Sequence, residues 1–234
     1  MIKHKSPKCE QCIIRQLNSL GELKKDELIR ISECKSSKYL KRGEVLFDEG
    51  TYINGVFCIK DGVCKVTKMS TNGRDQIIKL VKKGDLLGES SLVSEEVSNL
   101  KAIAINDMEV CFIPKEEIIR DLRSNTNFTM SVLKDMADTL KEADNIILGM
   151  AQKTAKQRLA ETLLFLKKSY GSNDTEKPIE IELSREEIAN IIGTATESAI
   201  RLLSLFNKEK LIHLKGKELF ILNTNKLQQI TEGY

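Results

Sequence analysis

SREEIANIIGTATESAIRLLSLF, residues 184–206, decides the organisation of the C-terminal third of this chain. Ser184 and Glu187 have the spacing of a capping box, in which the hydroxyl and the carboxylate each satisfy a free backbone N–H at a helix start. Gly193 ends that helix, because glycine adopts the left-handed C-terminal conformation at no steric cost. A second helix begins near Thr194–Thr196 and has apolar residues at helical spacing, namely Ala199, Leu202, Leu203 and Phe206. The stretch therefore predicts a helix-turn-helix.

The outward face of the second helix has residue types that suit contact with DNA bases. This face combines Thr196, Glu197, Ile200, Arg201 and Ser204. Arginine can donate two hydrogen bonds to guanine O6 and N7, and glutamate can accept one from the cytosine amino group. An ordinary surface helix with an i,i+4 ion pair is the alternative, and Glu197 could instead form a second capping box with Thr194.

A β-hairpin is predicted directly after the two helices. The apolar runs 211–214 and 219–222 are separated by Lys215-Gly216-Lys217, a short turn with two basic residues. A hairpin in this place makes the motif a winged helix-turn-helix. We expect Lys215 and Lys217, at the tip of the wing, to lie near DNA phosphates.

Composition limits the class of protein. The chain has 234 residues, enough for two modest domains, with 30% charged residues, 5% aromatic residues and a net charge of +3. Residues 152–226 carry 13 Lys and Arg against 10 Asp and Glu, a weakly basic balance that suits specific contacts at a few phosphates. The start MIKHKSPKCE has no apolar signal region, and no apolar run is long enough to span a membrane. We therefore expect a cytoplasmic protein whose six cysteines are thiols or metal ligands.

Short strands separated by glycines are predicted over the first half of the chain. Segments such as 44–47, 56–59, 63–66, 76–81, 102–105 and 110–113 are rich in β-formers, and seven glycines from Gly43 to Gly88 separate the first of them. This pattern is typical of a jelly roll, also called a double-stranded β-helix. Pro114 ends the roll, and a short helix follows. We assign residues 1–126 to this domain, which includes an N-terminal cysteine segment, and the whole chain to the α+β class.

A long helix is predicted at residues 127–150. Its apolar residues repeat at alternating steps of three and four, which makes a narrow seam: Leu133, Met136, Leu140, Ala143, Ile147 and Met150. A single chain could bury such a stripe against its own roll. The charged residues on either side favour pairing with a second copy, so we expect a dimerisation helix. Residues 151–234 then form the winged helix-turn-helix domain.

The order of a glycine-punctuated roll, a dimerisation helix and a winged helix-turn-helix resembles the CRP/FNR superfamily of bacterial transcription regulators. The most specific matching pieces are KRGEVLFDEG, VFCIKDGVCKV, KKGDLLGE and TESAIR. The resemblance implies a cyclic-nucleotide-binding-like roll, a homodimer on a two-fold operator and contact with RNA polymerase. Glu197 and Arg201 match the base-contacting Glu and Arg of the family. Thr196 replaces an arginine of the cAMP-binding branch, and Ile200 replaces a serine of the oxygen-sensing branch.

One effector site implied by the resemblance is a cyclic-nucleotide pocket. In that branch a Gly-Glu pair binds ribose, which Gly88 and Glu89 match, and an Arg-Ser pair binds the cyclic phosphate. The chain has Asn99 and Leu100 in place of this second pair, so the phosphate loses its bidentate partner. Lys101 is the nearest cation. The prediction is that cAMP does not bind and that Glu89 is a turn residue, with a cyclic-nucleotide-responsive regulator or regulatory subunit as the alternative.

The other effector site implied by the resemblance is an iron–sulfur cluster held by four cysteines. The first two match Cys9 and Cys12, and the last matches Cys111, whereas the third falls on Asn18. Cys34 is the nearest spare thiol. Three interpretations stay open: an iron–sulfur or other metal site, a C-x-x-C redox pair, and structural thiols. Cys58 and Cys64 lie in strand segments and are interpreted as core or sheet-face residues. With two histidines, no phosphate loop and no paired carboxylates, the sequence contains no catalytic set.

Overall fold

The computed structural model describes residues 8–70, 73, 75–171 and 177–233. These residues form two compact units. The first unit contains the described residues up to Lys68 together with Lys79–Lys141, and the second contains Met69–Ile78 together with the residues from Glu142 onward. None of the helices in the described ranges is long and apolar enough to cross a membrane.

The first unit is built on a β-roll, which confirms the predicted jelly roll. Its strands are β1 (Ser36–Leu40), β2 (Val45–Phe47), β3 (Gly55–Asp61), β4 (Val63–Met69), β5 (Asp75–Lys82), β6 (Leu86–Leu87), β7 (Lys101–Ala104) and β8 (Met108–Pro114). The described strands form two four-stranded sheets, ordered β1-β8-β3-β6 and β2-β7-β4-β5. Gly55, expected at a turn, is instead the first residue of β3. A Cβ there would lie 2.2 Å from the Ile113 carbonyl oxygen, so only glycine permits this close strand approach.

Alternation along the strands divides the apolar residues between two cores. Residues such as Ile59, Val66 and Val110 point between the two sheets and form the interior of the roll. The opposite face of the first sheet carries Val56, Cys58 and Ile113, which pack in a second cluster against helices. We call this opposite face of the β1-β8-β3-β6 sheet the outer face.

The helices that cover the outer face are short except for the last one. They are α1 (Lys25–Cys34), α2 (Glu89–Ser94), α3 (Lys115–Ser124) and α4 (Thr126–Gln152), and three 3₁₀ segments at Cys9–Gln11, Ile13–Leu17 and Ser19–Glu22 precede them. The predicted range of the long helix, 127–150, lies within α4. Arg30 on α1 forms ion pairs with Glu117 and Asp121 on α3, which fixes these two helices to each other.

The second unit contains α5 (Ala155–Tyr170), α6 (Arg185–Ile192), α7 (Thr196–Lys208), β9 (Ile212–Lys215), β10 (Glu218–Ile221) and α8 (Thr224–Thr231). Its core combines Leu159, Leu163 and Leu166 of α5 with buried residues of α6, α7 and both strands. The sequence also predicts a basic turn at residues 153–158 and then a helix from Leu159 to Tyr170, and this start is wrong. Thr154 and Gln157 form a capping box, so the helix begins four residues earlier and includes most of the predicted basic turn.

Candidate nucleic-acid interface and effector sites

The helix-turn-helix has the geometry that its sequence indicates. The Ser184 hydroxyl accepts a hydrogen bond from the Glu187 N–H at 3.0 Å, and the Glu187 carboxylate accepts one from the Ser184 N–H at 2.8 Å. Gly193 ends α6 at a φ of +61°. The N-cap of α7 is Ala195 and makes no side-chain capping bond. The second capping box between Thr194 and Glu197 is therefore not formed, and Glu197 stays available at the surface.

The outward face of α7 is open along its whole length. Its exposed residues are Thr196, Glu197, Ile200, Arg201 and Ser204. The helix is anchored from the other side by Ala199, Leu203 and Phe206, which are at most 1% exposed, whereas Leu202 is only partly buried. Within the described residues, the only hydrogen bond of the Arg201 guanidinium is a long one, 3.5 Å, to the Ser198 hydroxyl. Both charged groups of this face are thus free to accept an outside partner.

The turn between α6 and α7 is held by side chains from distant parts of the second unit. The last carbonyls of a helix have no partner inside the helix, so they must bond elsewhere. The Arg158 guanidinium of α5 donates to the Ile192 oxygen at 2.7 Å and more weakly to the Gly193 oxygen at 3.4 Å. The Gln76 amide donates to the Asn190 oxygen. These donors occupy carbonyls at the end of α6, where a cation also interacts favourably with the helix dipole.

The predicted hairpin is present, and its turn lies at the two predicted lysines. Strands β9 and β10 pair with Lys215 opposite Glu218, and Lys215 and Lys217 are both exposed. Gly216 takes a φ of +62° at the tip. Its carbonyl accepts a hydrogen bond from Arg185, the first residue of α6, at 3.1 Å. The wing tip and the beginning of α6 are therefore connected directly. A Lys215–Glu218 pair at 3.7 Å offsets part of the wing's positive charge.

Two family models match this chain in the order of its two units. A cyclic nucleotide-binding domain matches residues 37–125, and a Crp-like helix-turn-helix domain matches residues 157–230. The chain belongs to the CRP/FNR family. Members of this family with these domains are DNA-binding transcription regulators and not enzymes, and this protein is a regulator of the same type.

Individual relatives agree with this assignment and belong to the FNR-like branch. The chain is 29% identical to the fumarate and nitrate reduction regulatory protein of Vibrio cholerae, over 95% of this chain and 89% of the relative. It is also 29% identical to the anaerobic regulatory protein of Haemophilus influenzae, over 95% and 87% of the two chains. Its fold is similar to a crp/fnr-family regulator from Eubacterium rectale, with a TM-score of 0.74, 20% identity and coverage of 92% and 97%.

At the cyclic-nucleotide positions of this CRP/FNR protein, the Lys101 side chain and the Asn99 backbone contact other groups of the chain. The Lys101 ammonium pairs with Asp48 at 3.2 Å. The exposed Asn99 presents its backbone oxygen to the Lys68 ammonium at 2.8 Å. Gly88, at a φ of +102°, precedes α2, and Glu89 is the first residue of that helix. Neither Asn99 nor Lys101 thus supplies a free guanidinium-like donor for a cyclic phosphate.

Glu89 lines an apolar cavity and not a nucleotide-sized pocket. The cavity measures about 10 Å³ and is lined, besides Glu89, by Leu20, Val56, Leu86, Leu92, Val93, Ile118, Leu122, Phe128 and Val132. This volume is about that of one water, whereas small-molecule pockets occupy about 300–1,000 Å³. Burial raises the pKa of the Glu89 carboxyl, and Lys79 offsets part of the effect. Among the described residues, this cavity beside Glu89 is too small for a cyclic nucleotide.

The cysteines group differently from the sequence prediction. Cys58 and Cys111 lie directly opposite each other on β3 and β8 and point to the outer face. Cys9 packs against the same apolar cluster. Burial, with smaller contributions from the thiols of Cys111, Cys12 and Cys9, raises the pKa of the Cys58 thiol to about 12. Cys111, Cys12 and Cys9 are therefore near enough to Cys58 to act on it electrostatically, and Cys58 is the buried one.

The two other cysteines stand apart from this group. Cys34 is exposed at the end of α1, where its thiol donates to the Arg30 carbonyl at 3.0 Å. The suggestion of Cys34 as a spare fourth thiol therefore has no support in the structure. Cys64 is 0% exposed between the two sheets, and burial raises its thiol pKa to about 12. Cys64 is a core residue and Cys58 is a buried residue of the sheet face, as the sequence indicated.

The donor set fits a metal centre, although the sulfur atoms are dispersed in this structure. Two of the thiols are on the sheet and two are on the N-terminal segment, and thiolates are the ligand type that zinc and iron–sulfur clusters prefer. Among the described residues, no three or more Cys, His, Asp or Glu side chains already stand together as a metal site. Asn18, at the third cysteine position of the family, uses its side chain in local structure: it accepts from the Leu20 N–H and donates to the Gly84 oxygen.

The predicted seam of α4 is divided between exposed and half-buried residues. Leu133, Leu140 and Ile147, spaced by seven residues, are 53%, 64% and 66% exposed. Met136, Ala143 and Met150 are partly buried. Met136 packs on the cluster of the outer face, and the Met150 sulfur would lie 3.0 Å from a Cβ at Gly193. Leu133, Leu140 and Ile147 are therefore exposed in the single chain. Met136 and Met150, in contrast, contact other described residues of the same chain.

Proposed function

We propose that this CRP/FNR protein is a homodimeric regulator that binds an inverted-repeat operator in double-stranded DNA. In each half-site the face of α7 would contact base edges and the wing would contact phosphates. The residues we assign to DNA are Thr196, Glu197, Ile200, Arg201, Ser204, Lys215 and Lys217. The observation that carries the proposal is that Glu197 and Arg201 are both exposed on one face of a helix whose preceding turn is held by Arg158 and Gln76.

The chemistry of the two charged residues supports specific and not merely electrostatic binding. Arg201 is exposed, one helical turn beyond Glu197, so both can enter the same major groove. A bidentate arginine–guanine contact discriminates against the wrong base by about 1–3 kcal/mol. The wing lysines carry charge without a fixed hydrogen-bonding geometry, which suits phosphate contact.

The experiment that tests the assignment compares Arg201→Ala with Lys217→Ala in the full-length protein. On the cognate operator, Arg201→Ala should weaken binding by about 1–3 kcal/mol and remove the preference at one G·C pair of each half-site. Lys217→Ala should weaken cognate and altered operators equally and reduce the salt slope by about 0.9, because one phosphate is no longer neutralised. If Arg201→Ala keeps its discrimination among operators altered at each position, α7 does not contact bases through this residue.

Dimerisation through α4 is the second part of the proposal. Five large apolar side chains on this helix are each more than half exposed in the single chain, namely Met130, Leu133, Leu140, Ile147 and Leu148. Apolar residues repeating at seven-residue intervals on one helix are typical of a parallel pair of helices. A two-fold dimer would also explain an inverted-repeat operator, because two symmetric half-sites then contact two identical α7 helices.

The signal is proposed to enter through Cys9, Cys12 and Cys111, as a metal centre or by thiol oxidation. These three cysteines are only partly buried, so metal ions and oxidants can reach them. The names of the relatives, which refer to anaerobic regulation and to fumarate and nitrate reduction, support a redox or oxygen signal. A DNA partner and six free thiols support a cytoplasmic location. Family membership supports contact with RNA polymerase at the promoter.

A further inference from the structure

We propose that Cys58 is the fourth ligand of a thiolate metal centre on the outer face of the first sheet, with Cys9, Cys12 and Cys111 as the other three. This inference deepens the cysteine part of the proposed function and is independent of the DNA contacts. It replaces the missing third cysteine of the N-terminal segment by a cysteine of β3.

Strand register is the first observation. Cys58 and Cys111 are a directly opposed pair in the antiparallel β3–β8 ladder. Opposed residues in such a ladder project to the same face, with Cβ atoms about 4.5–5.5 Å apart. Two ligands are thereby placed side by side on a rigid element, as a metal site requires. The remaining two are on the 3₁₀ segment Cys9–Gln11 and the residue after it, which packs over this face.

Asn18 supplies the second observation. This residue stands where the family places its third cysteine, and its amide nitrogen lies 3.5 Å from the Cys58 sulfur. The position expected for the third thiolate is therefore in contact with a different thiol. In this proposal Cys58 supplies the thiol that residue 18 lacks, so the number of thiols is four although the motif is broken. The Asn18 amide can also donate a hydrogen bond to the thiolate of Cys58 once the metal has formed it.

Binding of a single divalent ion at these thiols balances without an oxidant. Binding of a divalent ion by four neutral thiols forms four metal–sulfur bonds and releases four protons to solvent. Assembly of an iron–sulfur cluster additionally takes up sulfide together with ferrous and ferric iron, because the cluster contains ferric sites that ferrous iron alone cannot supply without an oxidant. Because the described thiols do not stand together as a metal site, ligand binding in this proposal brings the segment with Cys9 and Cys12 closer to β3 and β8.

Cobalt titration of full-length, reduced, metal-free protein under anaerobic conditions tests the ligand count. The sulfur-to-cobalt charge-transfer band grows with the number of thiolates, and competition with zinc gives the affinity. The wild type should show four thiolates. Cys58→Ala should lose about a quarter of the band and bind at least about tenfold more weakly, since even outer-shell changes cost about 10–100-fold. Parallel reconstitution with ferrous and ferric iron and sulfide, followed by iron and labile sulfide analysis, distinguishes a cluster from a single ion.

Matched controls come from the chain itself. Cys64→Ala removes an equally buried strand thiol that faces the interior of the roll, and Cys34→Ala removes the exposed thiol of α1. Both should keep the wild-type band and affinity. The double variant Asn18→Cys with Cys58→Ala restores the family's third cysteine and should recover the four-thiolate band. This recovery would separate loss of a ligand from damage to the fold.

X-ray absorption at the metal edge of the wild type gives the sulfur count without any substitution. Four sulfur neighbours support the proposal in either reconstitution. Three sulfurs with an oxygen or nitrogen neighbour overturn it, as does a Cys58→Ala variant with the full band and affinity. If the wild type binds neither cobalt, zinc nor a cluster, the metal centre itself is wrong. Specific operator binding by the same sample would show that the DNA-binding proposal survives that result.

Discussion

Replacing Arg158 by alanine should destabilise the helix-turn-helix without touching any residue of its outward face. The guanidinium is half-buried on α5 and donates hydrogen bonds to the Ile192 oxygen at 2.7 Å and the Lys153 oxygen at 2.5 Å. It also reaches the Gly193 oxygen at 3.4 Å. These carbonyls belong to the end of α6, the turn, and the segment before α5. The Arg158 side chain thus holds the turn between α6 and α7 in place, and the orientation of α7 depends on that turn.

The size of the effect follows from the type of bond. Hydrogen bonds to a charged group contribute about 1.5–3 kcal/mol, and a cation near a helix C-terminus adds about 0.3–1 kcal/mol. In the alanine variant, water can reach carbonyls at this half-exposed site and replace part of the loss. We therefore expect the free energy of unfolding to fall by about 1.5–3 kcal/mol, equivalent to about 3–12 °C in Tm for a chain of this size. Arg158→Lys keeps the charge but not the planar fork, so it should recover less than half.

Urea unfolding of the full-length variants measures this quantity, and operator binding measures its consequence. Lys168→Ala is the control, because it removes an exposed positive charge from the same helix. Its free energy of unfolding should change by no more than about 0.5 kcal/mol. Arg158→Ala should also weaken cognate binding more than non-specific binding, since a loosened turn misplaces α7. If Arg158→Ala unfolds at the same urea concentration as Lys168→Ala, capping of α6 by this residue does not stabilise the motif.

Three further predictions concern Gly193, Glu89 and the seam of α4. Gly193→Ala, at a φ of +61° and with a methionine sulfur 3.0 Å from the new Cβ, should cost about 1–2 kcal/mol in urea unfolding. Gly216→Ala, at +62° with nothing within 4 Å, should cost less, and equal losses would exclude a role for the methionine contact. Burial raises the pKa of Glu89, so the folded state binds this proton more tightly and stability falls as pH rises above the unfolded pKa. Glu89→Gln should therefore stabilise the protein at pH 7 but not at about pH 4, and a gain that is equal at both pH values would contradict this. Leu140→Glu should give monomers in light scattering by placing like charges in the apolar seam, whereas Lys141→Glu, beside the seam, should stay dimeric.

Local signals explain why the helix-turn-helix could be predicted in detail. The capping box of Ser184, the left-handed Gly193 and the apolar spacing of α7 each depend on residues within one or two turns. The wing likewise follows from two apolar runs and one glycine. The early start of α5 was missed although the signal was present, since Thr154 and Gln157 have capping-box spacing. The strand β1 was less visible, because four of its five residues are exposed and show no alternation.

What could not be predicted depends on contacts between distant residues. The pairing of Cys58 with Cys111 follows from the register of two strands that are far apart in the chain, and no local pattern determines that register. The bond from Gln76 to the end of α6 links residues 114 positions apart. In the sequence, nothing distinguishes Arg158 from the neighbouring basic residues, because the contact of its guanidinium with the turn depends on the fold. Sequence patterns identified the elements of both candidate sites, and the strand and helix packing determined which side chains meet there.

The cysteine group and the α4 seam share one apolar cluster, and this connects the two halves of the proposed mechanism. Phe128 and Val132, in the first two turns of α4, are buried with Cys58, and Cys9 and Met136 pack at the edge of the same cluster. A close-packed interior cannot shift at one side without repacking at the other. Closure of the N-terminal segment around a metal would therefore act on the part of α4 from which the exposed seam extends. If metal binding favours one arrangement of this cluster and pairing of α4 favours the same one, linkage requires each to strengthen the other by the same factor. No further element is then needed to transmit a signal from these thiols, because the outer face and the N-terminal part of α4 belong to the same packed layer.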